Sequence, residues 1–204
     1  MFNLTKIKIC GLKSIADINI VNKLLPEYVG FVFYPPSKRF LEHVQARILK
    51  DKLSSLIKCV GVFVNASMEE IIELVENKII DVVQLHGDED DAYIRELKLK
   101  LPENTEIIKA FLIKNESDIK KANNSLADYI LLDNGLGTGE VFDWSLVSKI
   151  NRKFFLAGGL SVDNVSKAIE LVKPYCVDVS SKVETDGIKD EKKIQSFVDK
   201  VRSI

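Results

Sequence analysis

The chain has 204 residues and is 46% hydrophobic, which is enough to bury the core of one domain. Its 29 basic and 30 acidic residues are interspersed and give a formal net charge of −1, which argues against nucleic acid as a partner. No apolar run approaches the roughly 18–20 residues of a membrane span, and residues 1–6 lead into a strand pattern rather than a signal region. We therefore expect a cytoplasmic protein with no membrane partner.

The cysteines and histidines give no sign of a metal site. Cys10, Cys59 and Cys176 are odd in number and widely spaced, which argues against a disulfide framework and against zinc. His43 and His86 do not stand at metal-ligand spacing from them. We expect no metal, and we expect Cys59 and Cys176, which open strand-like runs, to be core residues.

Strand and helix patterns alternate along the whole chain. Short β-branched runs recur about every 22 to 30 residues, and they are apolar enough to be buried on both faces. Between them, apolar residues at helical spacing predict covering helices, with polar caps at Ser67, Asp143 and Ser161. One stripe runs from Val162 to Val172. The strands are predicted to begin near Lys6, Tyr28, Lys58, Asp81, Glu106, Asp128, Lys153 and Tyr175.

Eight such units in a row predict a single α/β domain over residues 1–204, a compact parallel (β/α)₈ TIM barrel, although about 250 residues is typical of that fold. The alternative is a doubly wound open sheet. That fold seldom needs eight consecutive units, and the G-x-G-x-x-G motif that often follows its first strand is absent.

Polar and glycine residues follow the predicted strands, at the end of the barrel where active sites lie. Gly158 and Gly159 follow strand seven, and Ser180 and Ser181 follow strand eight, so their backbone amides could converge on a phosphate group; ordinary turns are the alternative. Cys10 after strand one and Asp133 after strand six could act as base and acid across a ligand. Equally, a cysteine there could be a small core residue and an aspartate could cap a turn.

The chain resembles the phosphoribosylanthranilate isomerase family of tryptophan biosynthesis, in order and on every strand except the fifth. The matching segments are K-I-C-G-L at residues 8–12, G-F-V-F-Y-P-P-S-K-R at 30–39, V-G-V-F-V-N at 60–65, V-Q-L-H-G-D-E at 83–89, L-L-D at 131–133, G-T-G-E-V-F-D-W at 137–144, A-G-G-L at 157–160 and V-D-V-S-S-K-V-E at 177–184.

The resemblance implies a (β/α)₈ barrel that performs an Amadori rearrangement on a small phosphorylated substrate without a cofactor. It implies Cys10 as general base, Asp133 as general acid and Arg39 as the group that holds the anthranilate carboxylate. Phosphate binding is expected at Gly158, Gly159, Ser180, Ser181 and Lys182. His86 is either a contact at the rim of the site or a structural residue.

Some positions depart from the family pattern or carry weaker expectations. The family usually has glycine where this chain has Lys182, and often Pro-Gly where it has Asp186-Gly187. Gly135, Gly137 and Gly139 could form a mobile cover over the ligand. Lys6 and Lys8 are near Cys10 in sequence and are candidates to promote its ionisation.

Two other functions remain alternatives. The related isomerase of histidine biosynthesis uses two aspartates, whereas this chain has a cysteine after strand one. A barrel kept only for phospho-ligand binding would be expected to lack Cys10, Asp133 or Arg39, and all three are present. A monomer is the expected state, with a homodimer as the alternative.

Overall fold

The computed structural model describes residues 4–133 and 144–204, without the side chains of Trp144 and Ser145. Eight parallel strands form a closed barrel in chain order, which confirms the predicted (β/α)₈ architecture. The strands are β1 (Lys6–Cys10), β2 (Tyr28–Val32), β3 (Lys58–Phe63), β4 (Val82–Leu85), β5 (Glu106–Leu112), β6 (Tyr129–Asp133), β7 (Phe154–Leu156) and β8 (Cys176–Val179).

Helices follow the strands and cover the outside of the barrel. After β8 the chain forms a 3₁₀ turn (Ser181–Val183) and a small antiparallel hairpin of β9 (Glu184–Thr185) and β10 (Ile188–Lys189). The helices are α1 (Ile15–Leu24), α2 (His43–Lys50), α3 (Met68–Glu76), α4 (Asp91–Lys100), α5 (Glu116–Asn124), α6 (Trp144–Val147), α7 (Val165–Val172) and α8 (Glu191–Arg202). None of the helices described here is long and apolar enough to cross a membrane.

The strands separate two apolar layers, as expected where both faces are buried. A large outer core lies between the strands and the helices. Alternate residues form a smaller inner cluster: Tyr28, Val60, Val82, Ile108, Leu131, Phe155, Ala157 and Cys176. Cys59 and Cys176 are fully buried, which confirms that they are core residues.

One predicted cap is confirmed and another is wrong. The Ser67 side chain accepts a hydrogen bond from the Glu70 amide and caps α3. Ser161 does not begin α7, because its amide donates to Asn164 Oδ1 at 2.8 Å and the segment closes into a local turn. The helix begins at Val165, and Val162 is therefore exposed rather than part of the buried stripe. Asp143 lies outside the described residues.

Candidate active site

A cavity of about 270 Å³ opens at the carboxyl ends of the strands. Its position agrees with the general location of active sites in this fold. Gln84 and Asp178 also line it, although neither was a predicted site residue. Arg39 does not line it. The predicted site residues that the cavity brings together are Cys10, His86, Asp133, Gly158, Gly159, Ser180, Ser181 and Lys182.

Cys10 ends β1 and is paired in register with Gly30 of β2. A Cβ atom on Gly30 would stand 2.6 Å from the Cys10 sulfur, far closer than atoms normally approach, and at a tight 3.2 Å from Lys8 Nζ. Glycine therefore leaves the room that the thiol occupies. Burial raises the pKa of the Cys10 thiol, while the nearby Lys8 ammonium opposes this effect.

Lys8 and Asp178 form a buried ion pair beneath Cys10. They are direct neighbours in the β1–β8 register, and Lys8 Nζ lies 2.8 Å from Asp178 Oδ2. Burial disfavours the charge on Lys8, but attraction to Asp178 and Cys10 outweighs it and raises the pKa of Lys8 above its usual value. Burial also raises the pKa of Asp178, and Lys8 opposes that shift. The floor of the cavity thus holds a buried ion pair whose cation, Lys8, also attracts Cys10.

Asp133 ends β6, so β7 and β8 separate it from Cys10 around the barrel. Its Oδ2 lies 3.6 Å from His86 Nε2, and His86 Nδ1 lies 3.1 Å from the Gln84 amide nitrogen. His86 therefore lines the cavity and also contacts Asp133 and Gln84. Among the described residues, the buried Gln84 Oε1 and Asp178 Oδ1 have no hydrogen-bond partner, which leaves two acceptors at this cavity.

The loops after β7 and β8 form another wall. Gly158 and Gly159 have φ values of 85° and 74°, a left-handed conformation that favours glycine. Within the part of the chain that the structure describes, no atom lies within 4 Å of the point where a Gly159 Cβ would stand. Ser180 Oγ donates to the Cys10 carbonyl at 3.0 Å and holds the ends of β8 and β1 together. The predicted glycine cover at Gly135, Gly137 and Gly139 lies outside the described residues.

Arg39 lies in a charged cluster beside the cavity. Its Nε and Nη2 donate to the two oxygens of Glu184 at 2.7 and 2.6 Å, and Lys189 Nζ donates to the same carboxylate at 2.6 Å. Burial disfavours the Glu184 charge, but these hydrogen bonds outweigh it and lower the pKa of Glu184. Two cations and one anion leave the cluster with a net positive charge.

Lys8 was predicted only as a candidate to promote the ionisation of Cys10, and the buried polar residues Gln84 and Asp178 were missed as site residues. Each precedes a predicted site residue by two positions, ahead of Cys10, His86 and Ser180 respectively. Because side chains alternate along a strand, residues two apart share a face, so this spacing could have revealed them. Glu184 carried no comparable signal, since its role depends on a contact with Arg39 across 145 positions.

Solved structures with the same fold resemble this chain over nearly its full length. A phosphoribosyl anthranilate isomerase from Thermotoga maritima superposes with a TM-score of 0.89 and 36% identity, covering 98% of this chain and 100% of that one. A second solved structure, of a phosphoribosyl anthranilate isomerase in complex with reduced 1-(o-carboxyphenylamino)-1-deoxyribulose 5-phosphate, gives a TM-score of 0.86 at 36% identity, with the same coverage.

Sequence relatives agree with the structural ones. An N-(5'-phosphoribosyl)anthranilate isomerase from Clostridium acetobutylicum is 45% identical over 208 aligned positions that cover 98% of both chains. One from Endomicrobium trichonymphae is 44% identical over 202 positions, covering 98% of this chain and 99% of the relative. The family model for N-(5'phosphoribosyl)anthranilate (PRA) isomerase matches residues 7–200. With its closed eight-stranded barrel and its cavity at the strand ends, this chain belongs to the N-(5'-phosphoribosyl)anthranilate isomerase family.

Proposed function

We propose that this isomerase of tryptophan biosynthesis converts N-(5'-phosphoribosyl)anthranilate into 1-(2-carboxyphenylamino)-1-deoxyribulose 5-phosphate by an Amadori rearrangement. The observation that carries the proposal is that Cys10 and Asp133 line one cavity from separate strands, so a base and an acid can reach different atoms of one ligand. The relative solved with a reduced form of that product supports this choice of substrate.

The reaction needs one proton delivered and one removed. Protonated Asp133 gives its proton to the furanose ring oxygen as the bond from that oxygen to C1 breaks, which leaves a protonated Schiff base. The Cys10 thiolate then removes the proton from C2, and the electron pair of that bond neutralises the imine nitrogen to give an enolamine. Tautomerisation yields the ketone. Each step uses groups of the chain and the substrate alone, so no cofactor is invoked.

The phosphate of the substrate is proposed to bind at the loops after β7 and β8. Gly158 and Gly159 adopt left-handed conformations on the cavity wall, where their backbone amides are proposed to meet the phosphate, and the 3₁₀ turn at Ser181 offers further amides on the same wall. Backbone donation does not require a particular side chain, so Lys182 can fill a position where relatives have glycine. Its own side chain is exposed. Gly158, Gly159, Ser180, Ser181 and Lys182 together are the proposed phosphate site.

Arg39 is the proposed partner of the anthranilate carboxylate. Glu184 occupies Nε and one Nη2 hydrogen, and Arg39 Nη1 has no hydrogen-bond partner among the described residues. A substrate carboxylate that approaches Arg39 from the Nη1 side meets a guanidinium that Glu184 already orients, within a cluster of net positive charge. Glu184 therefore holds Arg39 in place without cancelling the local field, because Lys189 offsets the Glu184 charge.

Replacing Arg39 with alanine is expected to raise KM about 10–100-fold and to change kcat less, because a hydrogen bond to a charged group contributes about 1.5–3 kcal/mol. Steady-state kinetics with N-(5'-phosphoribosyl)anthranilate measures both constants. Arg95→Ala is the matched control, since Arg95 is exposed on the distant helix α4 and its loss should leave KM unchanged. An unchanged KM for Arg39→Ala would remove Arg39 from this role.

Gly30→Ala is expected to lower kcat about 100-fold, because the added methyl displaces the Cys10 thiol and small misplacements of reacting groups have effects of that size. It should also destabilise the fold by about 1–3 kcal/mol through overpacking. Gly61→Ala is the matched control: its Cβ would stand 2.7 Å from Ile80 Cδ1, so it overpacks β3 without touching the thiol. Equal kcat losses in the two variants would show that strain, and not Cys10 placement, is responsible.

The decisive experiment supplies N-(5'-phosphoribosyl)anthranilate to the purified protein and follows the decay of its anthranilate-type fluorescence. Enzyme-dependent decay supports the proposal. Absence of decay, with phospho-ligand binding retained, would favour a silent binding barrel. Turnover of the aminoimidazole substrate of histidine biosynthesis in place of the anthranilate would favour the related isomerase.

A cytoplasmic monomer remains the proposed state of the protein. One solved structure is of monomers generated from the dimeric phosphoribosylanthranilate isomerase of Thermotoga maritima, which share 36% identity with this chain at a TM-score of 0.85. A homodimer is therefore the alternative. Light scattering coupled to size-exclusion chromatography distinguishes the two by mass.

A further inference from the structure

We infer that Lys8 supplies the positive charge that stabilises the Cys10 thiolate, and that Asp178 competes with Cys10 for this charge. The inference rests on the proposed role of Cys10 as general base. Lys8 acts through Cys10 and not on the substrate, so it is a positioning residue. Burial of the Cys10 thiol disfavours its negative form, so a nearby cation is needed to promote its ionisation.

The geometry brings the three groups together on adjacent strands. Lys8 and Cys10 are two residues apart on β1 and therefore share a face of the strand. The same point above Gly30 is 2.6 Å from the Cys10 sulfur and 3.2 Å from Lys8 Nζ, so both atoms border one small space. Asp178 on β8 reaches Lys8 from the other side, at 2.8 Å.

Because Lys8 and Asp178 are buried, their charges act strongly on the ionisation of Cys10. The Lys8 side chain is fully buried and the Asp178 side chain is 7% exposed, so water screens their fields weakly. An ionised Asp178 already neutralises Lys8, and a Cys10 thiolate would then add an excess negative charge. Lys8 consequently favours the thiolate and Asp178 opposes it. The Lys8 charge accordingly lowers the pKa of the Cys10 thiol, and the Asp178 charge raises it.

Other titratable groups act on Lys8, Cys10 and Asp178 from farther away or are already paired. Lys189 and Arg39 are cations that face Cys10, but both are bound to Glu184. His86 and Asp133 act on Asp178 with opposite signs. Lys8 is the strongest stabilising influence on the thiolate among the described residues. The buried thiols Cys59 and Cys176 are also close enough to interact with Lys8.

The test is the pH dependence of Cys10 alkylation by iodoacetamide, followed at the Cys10 peptide by mass spectrometry. Cys59 and Cys176 are fully buried in the folded protein, so the reaction reports Cys10. Asp178→Asn is expected to move the midpoint of the alkylation profile down by about one pH unit, a tenfold change in thiolate fraction at fixed pH. Lys8→Met is expected to move it up by at least as much.

Further variants separate this charge effect from a loss of structure. Lys109→Met removes another buried lysine, one that lies 3.0 Å from Glu89 on the outer side of β5, and it should leave the midpoint unchanged. Should Lys8→Met fail to fold, because it leaves Asp178 buried without its partner, the double variant Lys8→Met/Asp178→Asn replaces both charges. Its midpoint is expected above that of the wild type, with circular dichroism confirming the fold.

Opposite shifts in the Asp178 and Lys8 variants support the inference. A midpoint that stays or rises in Asp178→Asn, or that stays or falls when Lys8 is removed, would overturn it. Alkylation needs no substrate, so this result is independent of turnover. If the wild-type protein had no isomerase activity, the proposed function would be contradicted. The alkylation midpoints of the variants would still show whether Lys8 stabilises the Cys10 thiolate.

Discussion

Cys10→Ser is expected to abolish turnover of N-(5'-phosphoribosyl)anthranilate while the barrel remains folded. Serine keeps the shape of the side chain beside Gly30 but does not ionise near neutral pH, so the proton on C2 has no base to accept it. General acid–base catalysis typically contributes about 10²–10⁴-fold per group, and we expect a loss of kcat of at least that size. Fluorescence decay of the substrate measures it, and Cys10→Ala should give the same loss.

Two controls separate catalysis from stability. Cys176→Ala removes a fully buried thiol from the inner cluster, so it should lower the melting temperature while kcat remains near the wild-type value. Cys10→Ser should instead lower kcat and leave the melting temperature near the wild-type value. Near-normal turnover by either Cys10 variant would eliminate Cys10 as the base, and the thiol would then have only a packing role.

The barrel was predictable because its strands are short, apolar on both faces and regularly spaced. The observed strands begin at the predicted residue or one residue later, as at Val82 and Tyr129. Backbone burial on both faces leaves a strong local signature in the sequence. The turn after Ser161 was not predicted, because the same serine and asparagine that can cap a helix also stabilise the turn before it.

The site residues at the ends of strands could be predicted from the sequence. The ion pairs between residues distant in sequence were harder to predict. Cys10 and Asp133 could be placed at the same rim from the strand order alone, which the shared cavity agrees with. The Lys8–Asp178 pair joins residues 170 positions apart, and a lysine in a strand pattern gives no local sign that its charge will be buried. Only the closed barrel, which brings β8 beside β1, creates that pair.

Asp133→Asn is expected to lower kcat by about 10²–10⁴-fold, because the N–H protons of the amide are not acidic enough to be transferred to the ring oxygen as the furanose opens. The overall fold should be kept, since asparagine has the size of aspartate. Steady-state kinetics measures the loss. His86→Gln is the matched comparison, because His86 Nε2 lies 3.6 Å from Asp133 Oδ2 and is the neighbouring group that could serve as the acid instead. Its loss of kcat should be the smaller of the two.

The two catalytic assignments differ in the step that each variant slows, and this difference can be measured. With deuterium at C2 of the sugar, Cys10→Ser should show a primary isotope effect on its residual turnover, because removal of that atom limits the rate. Asp133→Asn should show little, since ring opening precedes the C2 step and becomes limiting. An isotope effect in Asp133→Asn as large as that in Cys10→Ser would place Asp133 at C2 and leave ring opening to another acid, with His86 the first candidate by distance.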